Sequence, residues 1–205
     1  MSNRRKIRET VLQALYASQL GDHHPEEVLQ TIVNPGLKED ATGLAFAERL
    51  FLRSLDNLEQ TDTLIRDHIA NWDIGRLATV DRIILQMAIT EFLTFEDIPT
   101  KVTINEAIEI AKNYSTAKSG RFVNGILDAV VDTLRSEDRI DKKGRGLQDT
   151  PARKPRKVSI PYVDEDGNPD PDASEADPEW TDSERPQAAS QKKKRIKRPR
   201  KSPGS

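Results

Sequence analysis

Between Arg4 and Arg135 the apolar side chains recur at three- and four-residue intervals, and no convincing segment of strand length alternates apolar and polar residues. A period near 3.6 places those side chains on one face of a helix, whereas a half-buried strand needs a period of two. The pattern therefore restricts the chain to helix packed on helix. Ile7, Val11, Leu12, Leu15 and Leu20 mark a first helix over about 4–20, stopped by Gly21-Asp22. Pro25 opens a short second helix carrying Val28, Leu29, Ile32 and Val33, and Asn34-Pro35-Gly36 has the composition of a turn. A third helix runs over about 40–58, and Thr61 or Asp62 is the expected cap of a fourth that carries Leu64, Ile65, His68 and Ile69.

The segment over about 77–95 is the most apolar. Ile83, Ile84, Leu85, Met87, Ala88, Ile89, Phe92 and Leu93 cover more than one face, which is the signature of a central helix touched from several sides. Ile98-Pro99 ends it. A sixth helix is expected over about 102–114. Ser115–Ser119 is a polar loop with Ser119 as N-cap, and a last helix spans about 120–135 with Phe122, Val123, Ile126, Leu127, Val130 and Leu134 inward. The expectation is an all-α bundle of about seven helices.

Charge divides the chain where the periodicity ends. The formal net charge is −2, from 32 Lys and Arg against 34 Asp and Glu, but this averages two unlike parts. Residues 1–140 hold 16 bases and 22 acids, net −6, while residues 141–205 hold 16 bases and 12 acids, net +4. The latter 65 residues contain 12 apolar side chains and nine of the twelve prolines, too little apolar surface to offset the entropy of ordering. We expect a helical domain over 1–140 and a disordered tail over 141–205. The tail is blocked: seven bases and one acid over 142–157, ten acids and no base over 164–184, eight bases in the ten positions 192–201. Such runs are solvated interaction segments that hold polyanions by releasing counterions.

The composition leaves little room for catalysis. With no cysteine there is no disulfide framework, thiolate metal site or Cys nucleophile, which suits a reducing cytoplasm. No glycine-rich phosphate loop is present. His23 and His24 precede a proline, and His68 stands alone on an apolar face, so no bundle metal site of paired Glu and His is expected. Glu106 and Glu109, three apart, read as a solvated helix flank sooner than as an acid/base pair. No apolar run approaches the roughly 20 residues of a membrane span, and Arg4, Arg5, Lys6 and Arg8 lead into an amphipathic helix, unlike a secretory signal. The expectation is a soluble, intracellular protein with no catalytic centre, metal or cofactor.

Two basic groups point instead to nucleic acid. Arg4, Arg5, Lys6 and Arg8 crowd the start of the first helix, where the macrodipole favours anions, so helix stability alone does not place them there. Arginine forks onto phosphates. Tyr16, two to three turns along, offers a ring on which an unpaired base stacks. Lys112, Lys118, Ser119, Arg121 and Phe122 form a second group at the junction of the last two helices, beside Tyr114, where amides at a helix start also bind phosphate. The plainer alternatives are a soluble helix end for the first group and a capped turn, with Phe122 in the core, for the second. If the first and last helices are neighbours, the two groups make one patch.

Arg4-Arg5 through Leu12-Gln13-Ala14-Leu15-Tyr16, Val80-Asp81-Arg82-Ile83-Ile84-Leu85 leading to Glu91, Ile104-Asn105-Glu106-Ala107-Ile108-Glu109-Ile110-Ala111-Lys112, and Phe122-Val123-Asn124-Gly125-Ile126-Leu127-Asp128 together resemble the NusB transcription antitermination family over about residues 3–135. The resemblance implies two three-helix subdomains, the second enlarged by one helix. It implies binding of the boxA element in nascent ribosomal-RNA leaders, with the small-subunit ribosomal protein NusE as partner, within an RNA polymerase antitermination complex. Some relatives form homodimers that cover the RNA surface. By position, the resemblance makes the arginine-rich start the main RNA motif, extended by Tyr16 and by the loop at Lys118, Ser119, Arg121 and Phe122. It places Asp81, Arg82 and Glu91 of the central helix toward the protein partner. Several relatives carry an acid where Lys118 stands, so a gain in phosphate affinity is expected here. The competing readings are a helical scaffold that binds proteins only, and a domain of this fold serving an RNA methyltransferase. The latter needs an α/β cofactor domain, which residues 141–205 are too short and polar to supply.

Overall fold

The computed structural model describes residues 3–21, 23–69, 73–116, 118–140, 142 and 157. They lie within a unit over Met1–Glu175; a second unit, Ala176–Ser205, lies outside the described residues. The expected disorder and block structure of 141–205 likewise fall outside them, apart from Lys142 and Lys157.

Helix α1 spans Arg4–Gly21. Its cap is Asn3, whose Oδ1 accepts from the Arg5 and Lys6 amides at 3.2 and 3.3 Å. The stretch expected to be helix then turn is one continuous rod: α2 (Pro25–Val28), a π-helical turn (Leu29–Val33) and α3 (Asn34–Leu37). Pro35 would ordinarily break it, because proline lacks an amide and collides with the carbonyl four residues back. Here the Asn34 amide reaches Leu29 O, five residues back. The backbone is thus widened by one residue just before the ring, and the helix survives.

Asp40 caps α4 (Ala41–Asp56), its Oδ1 accepting from the Gly43 amide at 2.9 Å. Glycine is required at 43, since a Cβ there would stand 2.4 Å from Asp40 Oδ2 and 2.9 Å from Ile7 Cδ1. Helix α5 (Leu58–His68) starts earlier than Thr61 or Asp62 implied. Thr61 is buried inside it, its hydroxyl bonding back to the carbonyls of Asn57 and Leu58 at 3.0 Å, and Asp62 turns toward α6. After a 3-10 turn (Ile74–Arg76) come α6 (Thr79–Thr94), α7 (Thr100–Tyr114) and α8 (Ser119–Ser136). Among the described residues there is no strand element.

Helix α1, the α2–α3 rod and α4 pack as a three-helix group, and α5, α6, α7 and α8 as a second group of four, joined along α4, α1 and α6 into one core. Eleven of the sixteen residues of α6 are buried, against α1, α4, α5, α7 and α8. His68, the isolated histidine, is a satisfied core residue: Nδ1 bonds Leu64 O at 2.7 Å and Nε2 bonds Thr133 Oγ1 at 2.8 Å, tying α5 to α8.

Candidate nucleic-acid interface

A cationic helix start needs anions, and α1 has no acid in its first turn. Other helices supply them. Arg5 lays its fork on α7, with Nε and a terminal nitrogen 3.2 and 3.3 Å from the two Glu106 oxygens and another nitrogen 3.8 Å from Glu109. The Glu106 hydrogen bond holds the guanidinium charged and raises its pKa further. Glu109 also takes Lys112 Nζ at 2.9 Å. Glu106 and Glu109 are thus the clamp between α1 and α7, and they bring Arg5 and Lys112 onto one surface. Arg5 of the first group and Lys112 of the second thus share a surface by way of α7, while the close packing of the first helix on the last that would join both groups whole is not found among the described residues.

Arg8 is not part of its surface. Expected as an RNA contact, it is 3 % exposed. Nε and a terminal nitrogen donate to the two oxygens of Glu91 at 2.5 and 2.8 Å, and the remaining nitrogen donates to Arg4 O at 3.2 Å. Thr103 Oγ1 donates to the same carboxylate at 2.9 Å. Glu91, expected to face a protein partner, is correspondingly enclosed. Four residues separate Arg4 from Arg8 on a helix of 3.6 residues per turn; the slight rotation and α6 beneath turn Arg8 inward while Arg4 and Lys6 stay exposed.

The second group is divided in the same way. Ser119 was expected as an N-cap and an RNA contact, but it is fully buried and the cap position belongs to Lys118. Its hydroxyl donates to Asp81 Oδ2 at 2.8 Å and accepts from the Thr116 amide at 3.2 Å, with Ser115 Oγ and Thr116 Oγ1 also within 2.9 Å. Asp81 is therefore an inward tie between α6 and α8, and not a partner-facing acid. Phe122 belongs to the core. Arg82 keeps partial exposure but is anchored to Asp62, with Nε donating to Oδ1 at 3.0 Å; that hydrogen bond raises its pKa. Gln86 joins the same carboxylate at 2.7 Å and receives Gln19 at 3.0 Å. Lys112 and Arg121 are exposed and Lys118 half-buried. Gly120 lets α8 approach α7, since a Cβ there would stand 3.3 Å from Lys112 Cγ.

Tyr16 on α1 and Tyr114 on α7 are both exposed, and with Leu12, Gln13 and Val80 they line a cleft of about 270 Å³ between α1, α6 and α7. Burial of part of its ring pushes the Tyr114 phenol above its ordinary pKa, helped by Glu9 and opposed by a hydrogen bond with Gln13. Sequence spacing on α7 could pick out Tyr114, but only tertiary packing pairs it with Tyr16. Among the described residues no group of three or more His, Asp or Glu is gathered for a metal, and no helix is long and apolar enough to cross a membrane.

These elements define a class: a helical binding module with a cationic, tyrosine-bearing edge formed where α1 meets α7. A model of the NusB family matches residues 5–132, and the chain belongs to that family. The transcription antitermination protein NusB of Salinibacter ruber is 48 % identical over 147 residues, covering 72 % of this chain and 92 % of the relative. The solved structure of T. maritima NusB is 40 % identical, superposes with a TM-score of 0.57 and covers 63 % of this chain and 91 % of its own. A crystal structure of the antitermination factors NusB and NusE in complex with dsRNA is similar at a TM-score of 0.58 and 25 % identity, over 65 % of this chain and 99 % of that one.

Proposed function

We propose that this protein is a cytoplasmic, non-catalytic transcription antitermination factor that binds boxA-type single-stranded RNA together with NusE, within an RNA polymerase antitermination complex. The observation that carries the reading is the joined edge. The α1–α7 surface that brings Arg5 and Lys112 together also carries a cleft bearing two exposed tyrosine rings, and Arg4, Lys6 and Arg121 are exposed at the starts of α1 and α8. Cations hold phosphates and rings stack on unpaired bases, the two contacts a short single strand offers. Membership of the NusB family and the likeness to a NusB–NusE–dsRNA structure support the choice of partners. Arg5 is a half-exposed contributor whose charge is largely met by Glu106. Lys118, half-buried at the start of α8, adds a cation that favours phosphate. On the partner side Arg82 is the partly exposed remainder of the expected trio.

Fluorescence anisotropy of the full chain with a labelled boxA-type RNA and its scrambled counterpart, with and without NusE, tests this. Preference for the boxA-type RNA, sharpened by NusE through added contact surface, is expected. NusE binding with no RNA preference in either condition would instead support a protein-only scaffold.

A further inference from the structure

Phe46 on α4 and Phe95 at the end of α6 meet edge to face, ring centroids 5.3 Å apart at 71°. Each ring carries an exposed guanidinium on its outer side. Arg4 Cζ is 4.8 Å from the Phe46 centroid, and Arg49 Cζ is 4.2 Å from the Phe95 centroid. The rings themselves are buried, so they are fixed platforms. Among the described residues no carboxylate lies within 4 Å of either guanidinium. This separates them from Arg5, Arg8 and Arg82, whose forks are already occupied by Glu106, Glu91 and Asp62. The nearby acids Glu96 and Asp97 act on Lys142, whose Nζ donates to the carbonyls of Glu91 and Phe95 at 2.8 and 2.7 Å.

A guanidinium stacked on a ring keeps its in-plane N–H edges open, and its orientation is set before a ligand arrives. An open planar fork matches a phosphate, which it binds through two parallel hydrogen bonds. We propose that Arg49, with Arg4, forms a phosphate-binding ledge that carries the RNA backbone from the α1 edge onto α4, outside the stretch read by the tyrosine cleft. The proposal rests on the RNA-binding reading and extends it to a second surface. Because the contact is to backbone, it adds affinity and salt dependence but no base preference.

The test uses the full chain and a boxA-type RNA extended by unrelated single-stranded sequence on both sides, titrated at several salt concentrations. Arg49→Gln should weaken binding about three- to tenfold and make the log–log salt slope shallower by about 0.7, the value for one single-strand phosphate contact. The ratio of boxA-type to scrambled affinity should stay unchanged. Arg49→Lys, which keeps the charge but loses the planar fork, should keep the slope and lose less affinity. Circular dichroism of both variants should match the parent. If the parent binds and Arg49→Gln binds identically with the same slope, the ledge is wrong while the RNA-binding reading stands. If Arg49→Gln lowers the boxA preference, the contact is to a base and the phosphate assignment is wrong. If the parent itself binds no RNA, both readings fall.

Discussion

Removing Arg8 tests whether the cluster at the start of α1 is a surface motif or half a core. Glu91 is enclosed on α6, and its oxygens have three donors: two Arg8 nitrogens at 2.5 and 2.8 Å and Thr103 Oγ1 at 2.9 Å. Arg8→Ala deletes both charged donors and leaves a carboxylate in the interior with a single hydroxyl. Breaking a buried ion pair from one side costs about 3–5 kcal/mol, because the remaining charge has neither water nor partner. Native domains are stable by only about 5–15 kcal/mol, so the loss consumes much of the margin. For a helical domain of this size it lowers Tm by roughly 10–20 °C. Urea unfolding followed by circular dichroism measures it directly, as a fall in midpoint at constant slope. The double variant Arg8→Met with Glu91→Leu removes both charges and keeps the volume, so it should regain most of the loss. That recovered protein should bind RNA like the parent, since Arg8 has no exposed edge to offer. A single variant within about 0.5 kcal/mol of the parent, with RNA affinity lost, would refute the buried-pair argument and return Arg8 to the surface. Reversing the charge of Arg5 and Arg8 together does not isolate RNA binding, because the Arg8 half of the change unfolds the domain.

Two further outcomes follow from local geometry. Gly43→Ala places a methyl within 2.4 Å of the Asp40 cap oxygen and 2.9 Å of buried Ile7 Cδ1. Loss of the cap and forced movement of Ile7 should together cost about 2–3 kcal/mol in the same urea assay. Lys142 has its pKa lowered to about 8, chiefly by burial, with Glu91, Asp97 and Glu96 opposing the shift. A lysine whose folded pKa lies below its unfolded value destabilises the fold while both states hold the proton, and stability is regained as the folded state deprotonates first. The parent should therefore gain in Tm relative to Lys142→Met as pH rises from about 8 toward the ordinary lysine range near 10.4; a difference that is flat across that window, or that shrinks, would contradict the assignment.

The fold was legible because burial leaves a period. The apolar spacing placed α1, α4, α6, α7 and α8 to within a few residues. It erred where one backbone group changed the outcome. The π-helical turn absorbs Pro35, which no composition rule for Asn-Pro-Gly reveals, and Thr61 bonds backward inside a helix whose cap the spacing makes it. The site was less legible for a different reason. Basic residues in one cluster look alike in sequence, but their availability depends on acids far away along the chain: Glu91 is 83 residues from Arg8, and Glu106 is 101 from Arg5.

That separation bears on how such a surface is built. The first turn of α1 carries cations at the end of the dipole where they are least favoured, and it is held by acids reaching across from α6 and α7. The anchored cations fix α1 in place, and the exposed ones are then presented on a rigid edge. Within the cluster at the start of α1, Arg5 has its fork clamped yet stays half-exposed, and so sits between the two roles. Glu106→Gln would weaken its clamp without removing its charge, so it should raise the mobility of Arg5 and leave the net cation count of the edge intact. A cluster made only for binding would not need Glu91 or Glu106, and one made only for stability would not leave Arg4 and Lys6 exposed; this one divides residue by residue according to which side of α1 meets another helix.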